Sequence, residues 1–352
     1  MSESAQEVVA ARLRDKLSRE CGPAVVSALG DPKVVEIMLN PDGQIWVDRA
    51  GEGMSFTGTR MARAAAESLL TTCAAMLNTT VHYGSPILEG EFPLDGSRLQ
   101  GLVPPIVRAP VFAIRKRTQK VLTLDDFRAS GVIPAAREAD HATDTAQAPS
   151  HVAPPPGHCA SPIDAIRAAV LARRNILIVG ATGSGKTTLA NAVLDEVARA
   201  APHDRLIAIE DTMELQVNVA NHVLLRSSSA IDMQRLLRAT MRLRPDRIVV
   251  GEVRGGEALT LLKSWNTGHP GGLATVHANS AQAGLLRLRQ LIYEAPEAAN
   301  LSPAAIDAMI AEAVNVVLFI QRTPGSPGRR VSEIVRVLGA SGGGFEVESL
   351  IA

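Results

Sequence analysis

The first thirty residues place apolar side chains at helical spacing between charged ones, with Val8, Val9, Leu13 and Leu17 as the recurring positions, and predict one or two amphipathic helices. Two short runs follow, VVEIMLN and QIWVDR, separated by Pro41, Asp42 and Gly43. Apolar, β-branched runs on either side of such a turn predict a hairpin. A helix is expected over residues 61–77, and FPLDGSRLQGLV and VFAIRKR read as further strands and turns, so this first portion is α+β. The pattern breaks at about residue 134. Residues 134–160 are rich in Ala, Pro, His and Asp without apolar periodicity, and they read as an extended, partly polyproline linker.

From Ser161 onward, helical stretches alternate with the short apolar runs NILIVG, LIAIE, RIVVG and GLATVH. Alternation of this kind marks a doubly wound α/β sheet. The last runs, VNVVLFIQR, RRVSEIVRVL and FEVESL, predict strands or a hairpin at a sheet edge. The expected organisation is an N-terminal α+β domain over 1–133, a Pro/Ala-rich linker over 134–160, and a P-loop domain over 161–352.

Composition narrows the function classes. With 36 Lys+Arg against 36 Asp+Glu, the chain has no basic excess, and aromatics make up only 3%. A dedicated nucleic-acid binder usually carries both, so no direct sequence-specific nucleic-acid binding is expected. The N-terminus is too charged for a signal peptide, and no run approaches the roughly 18 apolar residues of a membrane span. Cys21, Cys73 and Cys159 are widely spaced and form no CxxC pair. His141, His151, His158 and Cys159 match no zinc spacing. A cytoplasmic protein without a transmembrane segment is expected.

The strongest chemical signal is Gly180-Ala181-Thr182-Gly183-Ser184-Gly185-Lys186-Thr187, which fits the pattern G-x-x-x-x-G-K-[ST] and continues into Thr188. A buried-strand run precedes it and a helix-forming stretch follows, the context that the motif requires. Its backbone N–H groups would converge on phosphate oxygens at a helix N-terminus. Lys186 would reach the β- and γ-phosphates of ATP, and the Thr187 hydroxyl would coordinate Mg²⁺.

Three further sites fall at the ends of expected strands, where a doubly wound sheet lines its ligand crevice. Glu252 ends RIVVGE and is expected near Mg²⁺ or the attacking water. Glu210 ends LIAIE within a cluster that includes Asp211 and Glu214, and it is placed to act as a general base. His277 ends LATVH and could contact the γ-phosphate; His269, before Pro270, is a weaker candidate.

GATGSGKTT, IAIEDTMEL, RPDRIVVGEVRGGEAL and NTGHPGGLATVHANS, in this order, resemble the Walker A, Asp box, Walker B and His box of the secretion ATPase superfamily of type II and type IV secretion. In the first portion, DPKVVEIMLNPDGQIWVDR, SPILEGEFPLDGSRLQG and FAIRKR are similar to the conjugative-transfer ATPases of the TrbB family. The resemblance covers roughly residues 8–130 and 161–345. It implies a RecA-like ATPase domain and a hexameric ring. It also implies peripheral association with inner-membrane secretion proteins at their cytoplasmic face, and arginines of the N-terminal domain that close over the nucleotide. Arg98, in Asp-Gly-Ser-Arg, and Arg115, in Phe-Ala-Ile-Arg, match those arginines.

The expected function is thus ATP hydrolysis powering conjugative DNA transfer. A pilus assembly or retraction ATPase is the neighbouring alternative. A nucleic-acid motor with the same core would show DNA-stimulated turnover, and a nucleotide-gated scaffold would show almost none.

Overall fold

The protein's computed structural model describes residues 3–116, 121–134, 161–228 and 230–350. The linker expected over 134–160 lies outside these residues except for Pro134, as do His141, His151, His158 and Cys159. The chain forms two compact units, Met1–Gln119 and Lys120–Ala352.

The first unit opens with helix α1 (Glu3–Gly30), kinked at Gly22, whose positive φ of 70° precedes Pro23. Proline cannot donate to the preceding turn, so the helix restarts there. The stripe read from the sequence is buried only from Leu17, since Val8 and Val9 remain exposed. The expected hairpin is β1 (Val34–Leu39) and β2 (Gln44–Arg49), and it continues into β3 (Gly53–Arg60). After α2 (Arg63–Met76) come β4 (Ile87–Glu91), β5 (Arg98–Leu102) and β6 (Val111–Arg115). The six strands form an antiparallel sheet in the order β3-β2-β1-β6-β5-β4. Ile37, Val47, Leu99 and Ile114 join Leu17, Cys21, Leu69, Leu70 and Cys73 of the two helices in one core, so a single sheet face is covered by helix.

The second unit begins before the expected boundary. Helix α3 (Leu124–Ala129), capped by Thr123 and Asp126 exchanging side-chain and backbone bonds, falls on the first-domain side of the boundary expected from the sequence. Its Leu124 and Phe127, with Val132 and Ile133, instead belong to the core that contains Ile166, Ile178 and Leu189. The remaining elements are α4 (Pro162–Leu171), β7 (Ile176–Val179), α5 (Lys186–Ala200), β8 (Leu206–Glu210), β9 (His222–Arg226), α6 (Met233–Thr240) and β10 (Arg247–Val250). They continue with α7 (Glu257–Asn266), β11 (Leu273–Val276), α8 (Ala281–Ile292), α9 (Pro303–Ala313), β12 (Val316–Arg322), β13 (Arg329–Ser341) and β14 (Gly344–Ser349).

Eight strands order as β14-β13-β12-β7-β11-β10-β8-β9, and the run from β12 to β9 is parallel. Strands β7, β8, β10 and β11 are buried along their whole length, as expected where helices cover both faces. Strands β12, β13 and β14 confirm the C-terminal strand pattern, but β12 lies inside the sheet, parallel to β7, rather than at its edge.

Candidate active site

Because β7, β8, β10 and β11 run parallel, whatever follows each of them emerges at one end of the sheet. Residues 180–187 follow β7 there. The backbone at Gly183 (φ 69°) and Gly185 (φ 102°) is left-handed, a conformation that a Cβ would oppose. Lys186 opens α5 and is only 7% exposed. Its ammonium donates to the Gly180 carbonyl at 2.9 Å and the Ala181 carbonyl at 3.1 Å. It also lies 3.2 Å from His277 Nδ1. Ala181 and Thr182 are exposed, Ser184 is buried, and Thr188 is half-buried in the first turn of α5.

A lysine ammonium has donors and no acceptor. His277 Nδ1 therefore accepts, which leaves the ring neutral with its proton on Nε2. That nitrogen pairs with Glu252 Oε1, just beyond β10. The other Glu252 oxygen takes Arg254 Nε at 2.7 Å, and Arg254 also pairs with Asp211. Burial would push the Arg254 pKa down, but the two carboxylates hold it above the ordinary arginine value. The result is one chain from Lys186 through His277 and Glu252 to Arg254 and Asp211.

Glu210 is 3% exposed and turned towards the backbone. Its Oε1 accepts from the N–H groups of Glu214 and Leu215, each at 3.0 Å, and its Oε2 accepts from Leu215 N–H at 3.2 Å. This carboxylate fixes the turn after β8. The acid that meets the phosphate loop is Glu214, whose Oε2 accepts from the Thr187 hydroxyl at 3.2 Å. Asn191 on α5 secures the same turn, donating to the Glu214 carbonyl at 3.3 Å and accepting from Gln216 N–H at 2.9 Å.

The structure therefore brings Lys186, His277 and Glu252 together and joins Thr187 to Glu214. Of the two expected metal ligands, Thr187 stands with Glu214 and Glu252 stands with His277 and Arg254. A hydroxyl beside a carboxylate, completed by phosphate oxygens, is the hard oxygen set that Mg²⁺ takes. His269 is elsewhere: its Nδ1 contacts the Pro245 carbonyl at 2.8 Å, ahead of β10 and so at the opposite end of the sheet. Arg98 and Arg115, in the first unit, are direct cross-strand partners, flanked in the same row by Glu91 on β4 and Glu36 on β1.

Sequence reading missed Glu214, Arg254, Arg322 and Arg329 as site residues. The first two were within quoted motifs. The last two lie more than a hundred residues from the loop, yet Arg322 Nε donates to the Gly183 carbonyl at 3.1 Å.

A family model described as type II/IV secretion system protein matches residues 161–324. A probable conjugal transfer protein TrbB of Sinorhizobium fredii is 47% identical over 338 residues, spanning 96% of this chain and 94% of the relative. The conjugal transfer protein TrbB of Rhizobium radiobacter is 44% identical over 337 residues, 96% and 94% of the two chains. VirB11 of Agrobacterium fabrum is 30% identical over 302 residues, 84% of this chain and 86% of that one. The solved structure of the Legionella pneumophila ATPase DotB shares the fold at 18% identity, with a TM-score of 0.59 over 88% of this chain and 79% of that one. The pilus retraction motor PilT with bound ADP does so at 18% identity, with a TM-score of 0.56 over 92% and 80%.

Proposed function

The chain belongs to the type II/IV secretion system protein family, alongside the TrbB conjugal transfer proteins, and from that premise we propose that it hydrolyses ATP at residues 180–187 to drive a conjugative type IV secretion machine. The observation that carries this reading is the Lys186–His277–Glu252 chain at the phosphate loop, with Thr187 and Glu214 beside it. ATP binding would draw Lys186 from the Gly180 and Ala181 carbonyls to the β- and γ-phosphates. Mg²⁺, held by Thr187 and Glu214, would neutralise phosphate charge. His277 and Arg254 fix the Glu252 carboxylate so that it can orient a water and take its proton as the water attacks the γ-phosphorus and ADP leaves. Glu210 keeps the Glu214 turn in place.

Arg98 and Arg115 are assigned to the charge of the γ-phosphate. Their support is the match to the family's nucleotide-facing arginines and their position side by side on adjacent strands. We further assign the chain to a homo-hexamer that associates peripherally with inner-membrane secretion proteins on the cytoplasmic side. No helix among the described residues is long and apolar enough to cross a membrane, in keeping with peripheral attachment.

The test is phosphate release from Mg·ATP by the purified full-length chain beside Lys186→Ala. Turnover in the wild type that the variant lacks supports the assignment, and equal turnover in both removes it.

A further inference from the structure

On the flank of the phosphate loop away from the carboxylates stand two guanidinium groups. Strand β12 ends at Arg322, β13 begins at Arg329, and the two are cross-strand partners. Thr323 N–H donates to the Gly328 carbonyl at 3.1 Å and closes the turn between them. Both side chains lean on the loop. Arg322 donates to Gly183, and a Cβ on Gly183 would collide with its Nη2. A Cβ on Gly185 would lie 2.8 Å from Arg329 Nη1. Larger residues at either glycine would therefore displace an arginine as well as strain the backbone.

Neither arginine has a carboxylate partner among the described residues. The pKa of Arg329 is lowered, first by burial and then by Arg322, although an arginine does not give up its proton in a protein. Two like charges thus face each other across a hairpin without a counter-charge, an unfavourable arrangement that an anion would relieve. Position indicates which anion. Strand β7 has β11 on one side and β12 on the other. Glu252 and His277 follow β10 and β11, and Glu210 ends β8, all on the β11 side, where the terminal phosphate would react. The arginines occupy the β12 side.

We propose that Arg322 and Arg329 form a clamp on the α- and β-phosphates, the part of the nucleotide that ADP and ATP share, and so control how firmly ADP is retained after hydrolysis. The proposal rests on nucleotide binding at residues 180–187. It gives these arginines a role opposite to that of Arg98 and Arg115, which are assigned to the phosphate that ADP lacks.

Calorimetric titration of the full-length chain with Mg·ADP and with a non-hydrolysable Mg·ATP analogue tests it in wild type, Arg322→Gln, Arg329→Gln and Arg329→Lys. Each glutamine variant should bind both nucleotides roughly tenfold or more weakly, the usual scale for losing a charge-assisted hydrogen bond. The ratio of the two affinities should stay near the wild-type value. Arg329→Lys, which keeps the charge, should bind ADP more tightly than Arg329→Gln. Without nucleotide, Arg329→Gln should melt no lower than wild type, because it removes a repulsion. Wild-type affinity in both glutamine variants, or a loss confined to the ATP analogue, would overturn the clamp. So would a lower nucleotide-free melting temperature with unchanged affinity, which would make the arginines structural. A wild-type chain that binds neither nucleotide would instead remove the phosphate-loop reading beneath it.

Discussion

In the six-stranded sheet, Arg98 shares a strand with buried Leu99, and Arg115 adjoins buried Ile114. In the eight-stranded sheet, β7, β8, β10 and β11 are buried from end to end, and apart from Thr275 in β11 their polar residues stand at the strand ends or beyond them. The difference follows from layering. An antiparallel sheet with helices on one side keeps a face on which charges can line up in rows, here Glu36, Arg115, Arg98 and Glu91. A parallel sheet sandwiched by helices has no such face, so its chemistry gathers where the strands end. One unit displays charge across strands, and the other concentrates it at a rim.

Lys186→Ala tests the rim most severely. It removes the point charge for the β- and γ-phosphates and should abolish phosphate release while circular dichroism stays native. Turnover within a few-fold of wild type would detach the chemistry from the strand ends. Glu252→Gln keeps the shape and removes the charge, and it should slow phosphate release by about 10²- to 10⁴-fold, with ATP still bound and accumulating intact. Full activity would move the proton acceptor to Glu214 or Glu210.

The face is tested by Arg98→Ala and Arg115→Ala. Each should slow turnover by about 10³-fold, the scale for an arginine on a transferring phosphoryl group, and should weaken an ATP analogue far more than ADP. Equal losses for both nucleotides would show a general defect in binding or folding. Smaller effects separate the two ends of the eight-stranded sheet: His277→Asn should lower turnover by roughly tenfold or more, and His269→Asn should leave it near wild type. A reversed order would contradict the assignment of function to one end.

The smallest expected effect concerns the core under the charged face. Burial, then Glu20 and Asp95, push the Cys21 thiol up to about 12, and burial raises Cys73 as well. Unfolded thiols ionise near 9.0, so from there to about 12 the unfolded state holds fewer protons and stability falls as pH rises. Denaturation midpoints of the first unit should show that decline, and Cys21→Ala with Cys73→Ala should flatten it.

Local patterns carried the hairpin β1–β2, the phosphate loop and the strand ends at Glu210, Glu252 and His277, because each depends on neighbours in sequence. Strand β3 escaped notice since it is exposed almost throughout and held by pairing with β2, not by burial. Strand β9 is an edge strand without a buried residue. Glu210 and Glu214 belong to one acidic cluster, and only the turn after β8 decides that the first holds backbone while the second meets Thr187. Arg322 and Arg329 had no motif to betray them, because it is the placement of β12 beside β7 that brings them to the loop.

The early start of the second unit has a practical consequence for dissecting the molecule. Leu124, Phe127, Val132 and Ile133 complete its hydrophobic interior, and Val331 N–H donates to the Val132 carbonyl at 2.8 Å. Cutting the chain at 161, after the proline-rich stretch, would leave open the space those four side chains fill, where even one large-to-small change typically costs about 2–5 kcal/mol. An ATPase fragment meant to stand alone should therefore begin near residue 120 and carry the intervening stretch with it.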